Sequence, residues 1–121
     1  MAVYDLINDL IDEMANNPKV AHYLDIPIQH GSDKILKAMF RRDNAELITS
    51  RLEMIRKAMP DCIIRTTVMV GFPGETEEDF RIMKENLRKW KFDRLGCFIL
   101  PSGYFVSLLF HFPFFLTFIN W

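Results

Sequence analysis

The stretch RTTVMVGFPGETEEDF, residues 65–80, joins a β-branched, apolar run to a helix start through Gly71, Pro73 and Gly74. Thr66, Thr67, Val68 and Val70 suit a pleated, half-buried surface. Residues 62–70 (CIIRTTVMV) therefore read as the strongest strand of the chain. Thr76 is a good N-cap, and Glu77, Glu78 and Asp79 put negative charge at the positive end of the next helix. Strand, glycine turn and helix in direct succession make the first part of a βα unit.

The same order extends outward. Downstream, Phe80, Met83, Leu87 and Trp90 line one face of that helix, and residues 92–100 (FDRLGCFIL) read as another strand. Upstream, Ile48, Leu52, Ile55 and Met59 form an apolar stripe stopped by Pro60, with Asp43 and Glu46 spaced as a capping box. Residues 20–29 (VAHYLDIPIQ) read as a strand with Pro27 as a flaw, because proline donates no ladder hydrogen bond. Ser32 and Asp33 can cap a short helix carrying Ile35, Leu36 and Met39. Leu6, Ile7, Leu10, Ile11 and Met14 make residues 3–16 an amphipathic helix. Helices between strands imply crossovers and an α/β fold with a parallel sheet. The pattern fits a slice of a barrel or of an open doubly wound sheet, and in both the loops at the C-terminal strand ends build sites.

The chain has 121 residues, 15 Lys and Arg, 16 Asp and Glu, and a net charge of −1. That size allows one small domain, and that balance argues against a dominant nucleic-acid or membrane field. Cys62 and Cys97 have no metal-ligand spacing and suit a reducing compartment. Residues 1–14 lack the basic start and unbroken apolar core of a secretory signal, so a cytoplasmic location is expected.

Two loops can carry chemistry. In residues 70–75 (VGFPGE), Gly71 and Gly74 admit a flat ligand close to the backbone, and Pro73 stiffens the turn. The acidic run repels phosphate, so the loop suits adenine, ribose or an amine, or else is simply a rigid turn. In residues 28–33 (IQHGSD), Gln29, His30 and Ser32 offer polar groups to a ribose or carboxylate; His30 is otherwise a hydrogen-bonded structural residue. Arg65 sits in an apolar strand and must be paired, for example with Asp25, or face a wet cavity as an anion clamp. Residues 37–42 (KAMFRR) form a small basic patch, read as a solvated helix end or a nucleic-acid contact.

YLDIPIQHGSDKILKAMFRR, followed by IRTTVMVGFPGETEEDF and FDRLG, resembles the radical S-adenosylmethionine methylthiotransferases over residues 5–98. QHGSD in place of QSGSD favours the branch that modifies ribosomal protein S12 over the tRNA-modifying branch. The resemblance implies about half of a partial (β/α)6 barrel, with strands four to six in this chain. It implies S-adenosylmethionine and a [4Fe-4S] cluster as cofactors and an aspartate β-carbon of ribosomal protein S12 as the site of modification; with the near-neutral charge, direct nucleic-acid binding is not expected. It places Gln29, His30 and Ser32 at the ribose and amino-acid end of the cofactor. Gly71, Phe72, Gly74 and Glu75 fall on the adenine side, and Arg65 near the polar end.

Two departures follow. The Cys-x3-Cys-x2-Cys motif that holds the cluster by thiolates is absent, so residues 1–98 are expected to be a partial core, inactive alone, with no metal ligands and no catalytic residue assigned. Residues 99–121 are expected to be a tail foreign to the family. After Arg94 the chain has no Lys, Arg, Asp or Glu, and the remainder holds seven of its 11 Phe. Out-of-frame translation, a membrane anchor over residues 104–121 and closure of the barrel edge are the three readings of that tail. A non-enzymatic, tail-anchored half barrel is the alternative outside the enzyme class.

Overall fold

The computed structural model describes residues 3–100 and 117–120. The elements run α1 (Val3–Asn16), β1 (Tyr23–Asp25), α2 (Asp33–Ala38), α3 (Ala45–Ala58), β2 (Ile63–Val70), α4 (Glu77–Trp90), β3 (Arg94–Ile99) and β4 (Thr117–Asn120). The sheet order is β1-β2-β3-β4, with β1, β2 and β3 parallel and β4 antiparallel to β3. The antiparallel fourth strand departs from the all-parallel expectation. It runs along the outer edge of β3, the edge a further parallel strand would take.

The sheet's two faces decide between barrel and open sheet. Ile64 and Val68 of β2 and Leu95 of β3 share one core with Ile11 and Met14 of α1, Leu52 and Ile55 of α3, and Met83, Leu87 and Trp90 of α4. All three long helices thus cover one face, and the strand order has no reversal. A doubly wound sheet carries helices on both faces and turns at a switch point, whereas a barrel wall has neither feature. Tyr23, Asp25, Arg65, Thr67, Met69 and Phe98 alternate onto the other face.

Several local expectations change. The strand expected over residues 20–29 shrinks to Tyr23–Asp25 because Pro27 interrupts the ladder. The Thr66 hydroxyl bridges the gap: it donates to the Ile26 carbonyl (2.6 Å) and accepts from the Ile28 amide (3.2 Å). Pairing resumes at Gln29, whose amide donates to Thr67 and whose carbonyl accepts from Met69. The N-cap of α3 is Asn44, whose side chain accepts from the Leu47 amide, while Asp43 pairs with Arg51 at 2.6 Å. An Asn one position later offers the same capping acceptor, which frees the Asp for a charged partner. Phe80 is 40% exposed beneath the Lys84 ammonium, outside the buried stripe of α4.

Trp90 joins two helices, its indole N–H donating to the Thr49 hydroxyl at 2.8 Å. Among the described residues no helix is long and apolar enough to cross a membrane. The three readings of the tail fall mostly outside the described residues.

Candidate functional site

The loops after β1 and β2 lie side by side because their strands are neighbours in register. Gln29, bridged to Val68 beyond the end of β1, has a left-handed backbone (φ 71) and is half-buried. A non-glycine residue in that region is strained, and such residues collect at functional loops. Gly31 is pressed against α4: a Cβ there would stand 3.0 Å from the Met83 Cα. Gly71 and Gly74 are both left-handed, with φ 82 and φ 88. A Cβ at Gly71 would meet the Leu100 carbonyl oxygen at 2.8 Å, whereas nothing lies within 4 Å of one at Gly74. Gly71 is therefore a packing glycine, and Gly74 borders open space. Phe72 turns inward and is buried with Ile35, Met69 and Phe98.

A polar network ties these loops together. His30 is fully buried. Its Nδ1 accepts the Ser32 amide proton at 2.9 Å, so the ring proton sits on Nε2, which donates to Glu75 Oε1. Glu75 Oε2 accepts from the Gly71 amide at 2.5 Å, closing the second loop on itself. Ser32 does not cap α2 with its side chain; its hydroxyl donates to Asp79 Oδ1 at 2.9 Å. Asp79 Oδ2 accepts from the Thr76 amide and hydroxyl and from Lys34 Nζ at 3.0 Å. These bonds, led by that from the Thr76 amide, hold the Asp79 carboxyl well below the usual carboxylate range.

Of the sequence-chosen residues, the loops bring Gln29, His30, Ser32, Gly71, Phe72, Gly74 and Glu75 together. Arg65 stands apart, toward the other end of β2, paired with Asp25 at 2.7 Å and within 3.4 Å of the Thr67 hydroxyl. Sequence reasoning did not single out Asp79 or Lys34 as loop braces. The Thr76-x-x-Asp79 spacing was the available signal for Asp79, since an acid three residues after a Thr cap completes a capping box.

The thiols lie elsewhere. Cys97 is opposite Val68, six residues along β2 from Cys62, which separates them by about 20 Å at 3.3 Å per residue. Burial pushes both thiols up in pKa. No cluster of three or more His, Cys, Asp or Glu side chains suited to a metal occurs among the described residues. A cleft of about 300 Å³ between α1, β1 and α3 lies on the helix-covered side and reaches the first loop only at Ile28.

The profile of the radical SAM superfamily matches residues 3–87. The ribosomal protein uS12 methylthiotransferase RimO of Acetivibrio thermocellus is 54% identical over 94 residues, covering 78% of this chain and 21% of that protein. The protein of the same name from Lachnoclostridium phytofermentans is 55% identical over 93 residues, covering 76% and 21%. Among solved structures, the radical SAM enzyme coproporphyrinogen III oxidase HemN of Escherichia coli superimposes with a TM-score of 0.64 at 19% identity, over 83% of this chain and 21% of that one. The chain thus spans about a fifth of the length of the relatives it matches.

Proposed function

The chain belongs to the radical SAM superfamily, and on that premise we propose that it is a segment of a methylthiotransferase that modifies an aspartate β-carbon of ribosomal protein S12. The observation that carries this reading is identity above half with enzymes of that name, through both candidate loops. When bound, S-adenosylmethionine supplies the hydrogen-abstracting chemistry of such enzymes. The residues present suit its nucleoside part. Gly74 leaves open space, Gln29 presents a carboxamide, and the acidic start of α4 tolerates an uncharged base and disfavours phosphate. His30, Ser32 and Glu75 serve by positioning, since their polar groups brace one loop against the other. Arg65 orients Asp25 on the face opposite the helices.

The residues present do not suit the iron-sulfur cluster. Two thiols about 20 Å apart along neighbouring strands cannot share it, so no step is assigned to a cluster here. A reducing, cytoplasmic setting is consistent with both thiols being unpaired.

The test is a chimera in which residues 5–98 replace the matching stretch of the Acetivibrio thermocellus relative. We expect the chimera to bind S-adenosylmethionine and to add the mass of a methylthio group to ribosomal protein S12. Gln29→Ala within it should weaken S-adenosylmethionine binding about tenfold, as expected for losing one hydrogen-bonding group of about 1.4 kcal/mol. Modification of tRNA in place of the ribosomal protein, or full S-adenosylmethionine affinity in the Gln29→Ala chimera, would overturn the reading.

A further inference from the structure

The knuckle that follows α2 takes no part in the loop network. α2 closes with two backbone bonds, Arg41 N–H to the Leu36 carbonyl (2.9 Å) and Phe40 N–H to the Lys37 carbonyl (3.0 Å). These are the paired bonds of a Schellman motif, whose residue after the C-cap must be left-handed and is usually glycine. Met39 is the C-cap, and Phe40 occupies the glycine position at φ 59. A bulky residue there is a genuine outlier. The ring does not offset that strain by packing, because Phe40 is 91% exposed. Strain and exposure both act against the fold, so the fold does not account for a phenylalanine at this position.

The charges around it are unevenly used. Residues 34–42 hold Lys34, Lys37, Arg41 and Arg42 and no acid. Lys34 pairs with Asp79, and Arg41 donates to the Pro27 carbonyl at 2.8 Å and lies 3.8 Å from Asp43. Lys37 and Arg42 are exposed and have no partner among the described residues. An exposed aromatic ring on a hydrogen-bonded backbone turn is thus flanked in sequence by two cations without partners.

We propose that Phe40, Lys37 and Arg42 form a contact site for a single-stranded nucleic acid, the ring stacking on one unpaired base and the two cations meeting neighbouring phosphates. A stacking platform needs one exposed ring and flanking positive charge. A protein partner of ordinary size needs several apolar anchors, and Phe40 is the one exposed large apolar side chain of residues 34–42. The near-neutral chain also rules out a long electrostatic track, so the contact spans one or two nucleotides. The proposal rests on this surface alone and is independent of the reading of the two loops.

The experiment is fluorescence anisotropy of a fluorescein-labelled single-stranded RNA decamer with the full chain at low salt. We expect saturable binding whose logarithmic salt slope is about −1.4, two phosphates at about 0.7 each. Phe40→Gly should weaken binding roughly tenfold or more, the range of one lost stack. The same change should preserve or raise the Tm, since glycine relieves the left-handed strain. Phe40→Trp should keep the affinity, and the Lys37→Ala/Arg42→Ala pair should flatten the salt slope. No binding at low salt, unchanged affinity in Phe40→Gly, or tighter binding of a labelled acidic decapeptide would each overturn the proposal.

Discussion

His22 shows how far a single residue's environment fixes its charge. Its Nδ1 faces the Asp61 carboxylate at 2.7 Å and its Nε2 faces the Met14 carbonyl at 3.1 Å. Both neighbours are acceptors, so only the imidazolium satisfies both. The hydrogen bond to Asp61 raises the His22 pKa, and the same bond lowers that of Asp61. Since the folded pKa of His22 lies above its unfolded value near 6.5, its stabilisation is full below that pH and fades as pH rises through the folded pKa. For Asp61 the sign is opposite: its share is present above its unfolded pKa near 3.9 and fades as pH falls through its lower folded one. Asp61→Asn should return the His22 midpoint, followed by NMR, toward its ordinary value. The variant's Tm deficit should be greatest between these two limits. An unmoved midpoint would show that Asp61 does not set the charge. His22 drew no attention in the sequence, because its partner is 39 residues away.

At the scale of elements, caps decide where helices begin. Thr76 and Asp79 form a reciprocal capping box at the start of α4, each side chain serving the other's backbone amide. Thr76→Ala should cost about 1 kcal/mol in urea denaturation, the ordinary worth of such a cap. Because Asp79 also holds Ser32 and Lys34, the same change should loosen the loop after β1, detectable as faster amide exchange at Ser32. A cost without faster exchange would mean that the cap and the loop brace are independent. The extents of α1 and α4 were legible because apolar residues recur at helical spacing. β1 was not, because Pro27 breaks its ladder and only a side chain from the next strand, Thr66, bridges the gap.

At the scale of the molecule, the sheet is one-sided in its helices and unequal at its edges. β4 covers β3, while β1 has no partner on its outer side among the described residues. An unpaired edge is a template for association. Removing residues 117–121 should expose the β3 edge, and light scattering should then show more association than in the whole chain at equal concentration. Equal scattering would mean that β4 does not protect that edge.

The alternation of strands and helices, the two glycine-bearing loops and the near-neutral charge can all be read from the residues in order. Each is local or compositional: periodicity, turn chemistry and counts need no knowledge of what lies across the fold. The tertiary structure alone decided that all long helices cover one face, which makes the sheet a barrel wall. It also decided that His30 and Glu75 brace each other across 45 residues, that Arg65 pairs with Asp25, and that Phe40 stands in solvent. Those facts depend on which distant side chains arrive at the same place, and sheet register sets that arrival.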